Sequence, residues 1–278
     1  MKSARAIRAA LAVAVLGLSL PARAQHDPMS DRFTLNLGGF FQTFDTSISF
    51  YKADGSQTPE INMQDVLGTP DRQTNFRAEG YWRFGPHGSA QFGYRSWNIK
   101  NSRTIDQNIQ VGDKTYNAGA YVESQLRASV ADLYYGYSFV HSPYLELGAG
   151  IGLSAYFSKV ALSGTGTITG PDGTKSVSYD ENSSNLIAPI PALTLFAQYS
   201  LLESLSVFAR AKGITATIGG YHGEMFDFVA GAEFFFTKNV GIGASYEYVN
   251  IKYSHQETRG VSFKYKYSGP LAYLALKF

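Results

Sequence analysis

Apolar and polar residues alternate with a period of two along most of this chain. The clearest run places Leu145, Leu147, Ala149, Ile151, Leu153, Ala155 and Phe157 on one parity, and Glu146, Gly148, Gly150, Gly152, Ser154, Tyr156 and Ser158 on the other. Successive side chains of a strand point to opposite faces, so this run predicts a long β-strand with one apolar and one small or polar face. The same reading predicts ten strands, at about 33–44, 71–84, 89–100, 119–139, 144–160, 185–200, 204–218, 224–236, 240–253 and 261–278. Pro189 and Pro191 weaken the start of the sixth, because proline cannot donate to a ladder.

Alternation fits a soluble sandwich, which buries its apolar face, as well as a membrane barrel, which turns that face to lipid. The strand ends decide. Every second strand finishes in aromatics before a tight turn: Trp82 and Phe84, Tyr137 and Phe139, Tyr199, Phe234 and Phe236, and finally Phe278. Amphipathic rings favour the headgroup level of a bilayer, so the repeat predicts an aromatic girdle at one end of a barrel. Connection lengths alternate in phase. The long polar ones, at about 51–70, 101–118 and 161–184, all follow the opposite ends. Two of these carry hairpin signals, Gly112-Asp113 and Gly170-Pro-Asp-Gly173. Counting either hairpin as spanning would raise the number to twelve, and eight is the alternative below; neither hairpin is apolar enough, so ten is the expected number.

Composition narrows the class further. Among 278 residues there is no cysteine, which excludes disulfides and thiolate sites, and aromatics reach 14% with 19 Tyr and 19 Phe. A net charge of +2 without basic clusters gives no basis for nucleic-acid binding. Residues 1–24 read as a secretory signal: Lys2, Arg5 and Arg8 precede the apolar stretch Ala9–Leu20, and Ala22-Arg-Ala24 fits a cleavage site. That stretch is shorter than the roughly 20 residues a spanning helix needs. Residues 25–278 then form one domain.

An exported chain of alternating strands that stops on an aromatic strand residue, Phe278, resembles Gram-negative outer-membrane β-barrel proteins. The resemblance implies an all-β, antiparallel up-and-down transmembrane barrel in the outer membrane, with both termini periplasmic. It also implies that Phe278 acts as the signal read by the barrel assembly machinery. Outer-membrane lipid and lipopolysaccharide are the expected surroundings, with a monomer as the expected state and no cofactor.

Assigning inward faces by parity collects the strand charges on one side. The expected lumen set is Arg77, Arg83, Arg95, Arg127, Arg210, Lys212, Lys264 and Lys266, with Glu79, Glu123, Asp132, Glu146, Asp227, Glu233 and Glu247. It requires parity slips, hence bulges, near Asp132, Gly213 and Gly269-Pro270. Charges on a lipid face cost about 2–4 kcal/mol each at the midplane, which favours inward placement. Arg127 is expected to pair with Glu146, and Gly148, Gly150 and Gly152 to leave it room. These glycines lie within a strand rather than in a turn opening a helix, so they are no phosphate loop.

The expected function is a non-enzymatic barrel with a charge-filled narrow lumen, acting through its outer loops in envelope integrity or surface contact. A narrow porin-like passive channel is the alternative, and an outer-membrane hydrolase ranks third. The omptin-like proteases share a strand number of ten but use His-Asp and Asp-Asp pairs at the outer rim, and this chain has neither among its outer loops. Outer-membrane lipid A deacylases use His and Ser on one face, whereas adjacent Ser254 and His255 point opposite ways. One weak metal candidate remains, in which His222 with Glu224 and His255 with Glu257 share a rim site.

Overall fold

The computed structural model describes residues 32–278, apart from 67, 112–113, 171–172, 219–220 and 256–260. The signal-peptide expectation therefore lies outside the described residues, as does Glu257. The strands are β1 (Phe33–Phe50), β2 (Ile61–Asn62), β3 (Arg72–Arg83), β4 (Gly88–Thr104), β5 (Ile109–Val111), β6 (Lys114–Tyr116), β7 (Tyr121–His141), β8 (Leu145–Gly170), β9 (Gly173–Leu202), β10 (Leu205–Ile218), β11 (Tyr221–Phe235), β12 (Val240–His255) and β13 (Val261–Lys277). Ten of them form an antiparallel barrel in chain order, β1-β3-β4-β7-β8-β9-β10-β11-β12-β13, closed by β13 on β1. The short β2 pairs with β1, and the β5–β6 hairpin joins β8. Closure removes the free edges that an open sheet would leave.

At the closing seam the Phe33 amide donates to the Phe278 carbonyl at 3.1 Å, and the Phe278 amide returns a bond to Phe33 at 2.8 Å. Nearby, the girdle aromatics face outward: Trp82, Phe84, Tyr137, Phe139, Tyr199, Phe236 and Phe278 are all about half exposed or more. Phe41, Phe76, Tyr94, Phe226 and Tyr246 form a second outward row toward the other end. Two aromatic rows with exposed Leu133, Ile151, Leu193 and Leu195 between them make a lipid-facing band.

The three expected bulges are absent. The ladders through Asp132, Gly213 and Gly269 keep constant register, and shifts occur instead at Ser138/Val140, Lys159/Ala161 and Leu205/Ser206. At Gly269-Pro270 the strands approach closely rather than slip. A Cβ on Gly269 would collide with the Phe41 carbonyl, which is why glycine stands there. Parity therefore holds, and this corrects four placements taken up below.

The sixth barrel strand is longer than expected. β9 passes straight through Pro189 and Pro191, and together with β8 it makes a hairpin paired from Leu145↔Tyr199 to Gly170↔Gly173. The prolines are tolerated because β9 has a partner on one side only at that level. Its ladder with β10 ends at Leu193↔Gly213. The β3–β4 ladder likewise runs only from Arg83↔Ser89 to Arg77↔Arg95. Beyond these two seams the wall divides into a tall section, β4-β7-β8-β9, and a lower one comprising the other six barrel strands.

Candidate functional site

Among the described residues, constant parity turns twelve charged groups into the barrel. Six are cations, Arg77, Arg83, Arg95, Arg210, Lys212 and Lys277; six are carboxylates, Glu79, Asp132, Glu146, Asp227, Glu233 and Glu247. They interlock. Glu247 lies fully buried between Arg77 and Arg95, the latter at 3.1 Å. Arg77 also reaches Glu79 at 2.6 Å, and Arg210 bridges Glu79 at 3.3 Å and Gln91 at 3.1 Å. Lys212 faces Asp227 at 3.6 Å, while Asp132 accepts from Ser154 at 2.5 Å. Nearer the closing-seam end, Arg83 holds both oxygens of Glu146 at 2.7 and 2.8 Å, and Ser138 donates to the same carboxylate. Glu233 accepts from Tyr273 at 3.0 Å and lies 3.9 Å from Lys277. A buried carboxylate persists only when its charge and lone pairs are met in this way.

Lys277 was missing from the sequence-derived set, though its parity matches Tyr273 and Tyr267. Four residues of that set belong outside. Arg127, Glu123, Lys264 and Lys266 point outward and are exposed, because the bulges invoked to turn them in do not exist. Arg127 pairs across the ladder with Lys159, not Glu146. The interior positions on β13 go instead to Tyr265 and Tyr267, which burial favours over lysine. Nor do the β8 glycines make room for Arg127. A Cβ on Gly148 would strike the Phe196 ring, and one on Gly152 the Tyr134 ring and backbone.

Charge fills only one half of the lumen. Toward the outer end the inward residues are Phe44, Trp97, Ile99, Val130, Met225, Val249, Ile251, Tyr265 and Tyr267, packed as one buried cluster. Trp97 stacks on Tyr265 with centroids 5.7 Å apart and planes 7° from parallel. Cation–π contacts join the two layers: Arg77 lies over Phe40 at 5.6 Å, Arg95 over Tyr267 at 5.7 Å and Lys212 over Tyr134 at 4.6 Å. Above the cluster, Ile61, Met63, Val66, Ile105, Ile109, Tyr116 and Val122 form a second apolar group that lids the mouth. Phe263 packs against both groups, so the apolar column is continuous. Sequence alternation could have revealed it, since Trp97, Tyr265 and Tyr267 share the inward parity.

A cavity of about 100 Å³ remains at the seam end, half open and lined by Asn36, Glu79, Arg83, Glu146, Arg210 and Lys277 among others. Of the metal candidate, His222 and Glu224 meet at 3.4 Å, while Glu257 and the His255 side chain lie outside the described residues. Glu224 is held by Lys252 at 2.9 Å, while His222 bonds Thr217 at 2.8 Å. Among the described residues, no group of three or more acidic or imidazole side chains could hold a metal ion.

No protein-family model matches the sequence, and no curated protein matches it either. Solved structures do. The outer-membrane protease OmpT from Escherichia coli is similar over 89% of this chain and 97% of its own, with a TM-score of 0.55 and 14% identity. The chain shares the closed β-barrel fold of this outer-membrane protein. The translocator domain of the autotransporter NalP from Neisseria meningitidis also matches, at TM-score 0.45 and 13% identity, covering all of this chain and 97% of that one. OprG from Pseudomonas aeruginosa matches at TM-score 0.35 and 14% identity over 92% and 99% of the two chains. At these identities the likeness speaks for the barrel alone.

Proposed function

We propose that this barrel is non-enzymatic, that its lumen is closed, and that it works through its extracellular rim, in envelope integrity or surface contact. The observation that carries the reading is the doubly filled interior. A balanced ion network occupies one half, an aromatic column the other, and an apolar lid covers the mouth. Barrels of about 8–10 strands have an interior that side chains can fill, whereas wide aqueous channels belong to those with 16–18. The non-enzymatic reading is supported by the pairing inside: each described interior carboxylate is engaged by a cation or hydroxyl, and Glu146, which has the His141 imidazole 4.0 Å away, is already held by Arg83 and Ser138.

The rim is built for contact because the β8–β9 hairpin and the attached β5–β6 hairpin rise beyond the seams. The test is complementation of a deletion strain by a chain lacking residues 166–177, rejoined by a short turn. The shortened protein is expected to reach the outer membrane yet fail to restore detergent resistance or surface adhesion. Full restoration by it would overturn the rim reading. A narrow passive channel is the second reading, favoured by the half-open polar cavity at the seam end. Steady ion-selective current in planar bilayers would replace the first reading with it.

A further inference from the structure

The charges that parity sends outward share one level. Twelve positions separate Arg127 from the girdle residue Phe139, and the same number separates Lys266 from Phe278. A strand tilted about 40° climbs roughly 2.5 Å per residue along the barrel axis, so both cations stand about 30 Å above the inner girdle. The apolar band of such barrels is about 25 Å tall. These cations therefore lie just past the hydrocarbon, where outer-leaflet phosphates are found.

Most cations of this belt have a carboxylate of their own. Lys252 pairs with Glu224 at 2.9 Å, Lys264 pairs with Glu60, and Lys266 is registered opposite Asp45 and lies over the Tyr248 ring at 5.9 Å. Lys100, Arg127 and Lys159 differ. On the outward face of β4, β7 and β8, Arg127 shares a rung with Asn98 and Lys159, and Lys100 follows Asn98 by two. Rung neighbours stand about 5 Å apart and diagonal ones about 7–8 Å, so Arg127 has Lys159 beside it on one strand and Lys100 on the diagonal of the other, within reach of one anion seated over Arg127. All three are exposed, and none has an acidic partner among the described residues. Like charges placed together on a sheet destabilise it unless an anion joins them.

We propose that Lys100, Arg127 and Lys159 form a binding site for a phosphate of an outer-leaflet, lipid A-type glycolipid, seated against the wall of β4, β7 and β8. Phe157, two positions below Lys159 on the same face and 41% exposed, supplies apolar contact for the acyl chains.

The test is native mass spectrometry of the detergent-purified barrel with bisphosphorylated lipid A. Its arms are dephosphorylated lipid A, phosphatidylglycerol and inorganic phosphate. The variant is Lys100→Gln/Arg127→Gln/Lys159→Gln, with Lys252→Gln/Lys264→Gln as the control pair. A basic group beside an anionic surface contributes roughly a fivefold factor, so the triple variant should bind about a hundredfold more weakly while the control binds as the parent does. Dephosphorylated lipid should not be retained. Equal retention by the triple variant, or of the dephosphorylated lipid, would overturn the site. Competition by millimolar inorganic phosphate would reassign it to free anions, and equal retention of phosphatidylglycerol would remove its preference for lipid A. Heat-modified gel migration, unchanged in all variants, excludes misfolding as the cause. This outcome is independent of whether the lumen conducts.

Discussion

At the scale of single residues, the same side chain type takes opposite roles according to parity. Glu247 is fully buried between two guanidinium groups, so Glu247→Ala would leave Arg77 and Arg95 short of their counter-ion. Removing one partner from a buried ion pair costs about 3–5 kcal/mol. We expect Glu247→Ala to lower the midpoint of unfolding in detergent markedly, and Arg127→Ala, which is exposed, to leave it within experimental error. Equal melting of the two variants would contradict the inward and outward assignment. Phe278 offers a second comparison. Its ring faces lipid beside Phe33, with centroids 6.3 Å apart, at the level where a charge costs little. Phe278→Asp should therefore refold in detergent almost as the parent does, yet accumulate poorly in the outer membrane if assembly reads that aromatic. Parental levels in cells would dismiss the assembly role.

At the scale of elements, strand number and the alternation of short and long connections were legible in the sequence. Period-two patterning and terminal aromatics are local signals, and every barrel strand carries one of them. The placement of Arg127, Glu123, Lys264 and Lys266 was not legible. Extending the cost of lipid-facing charge beyond the hydrocarbon forced these four inward and demanded bulges that the ladders do not contain. The penalty falls to about 0–1 kcal/mol near the interface, so lysines there face out freely. The extent of β9 was hidden for a related reason. Its prolines look like strand breakers until one sees that β10 has already parted from it at Leu193↔Gly213. That seam has a dynamic consequence. Amides of residues 214–218 on the β9 side lack ladder partners, so they should exchange with solvent faster than those of residues 205–213, as hydrogen exchange can measure. Uniform protection along β10 would show that the wall is continuous.

For the whole molecule, the account is a barrel with a layered plug: six cations against six carboxylates, then stacked aromatics, then a lid. The charged layer was foreseeable from parity. The aromatic layer is equally encoded, but inward tyrosines and tryptophan resemble girdle residues until their parity is fixed. Interior order of this kind should make the fold resistant to detergent, visible as different gel migration with and without boiling. The most direct test of the filled interior is single-channel recording of the purified protein in planar bilayers. The parent is expected to insert without conductance steps, and Glu247→Ala with residues 51–66 shortened is expected to produce them. Steady, ion-selective steps from the parent itself would contradict the plugged barrel.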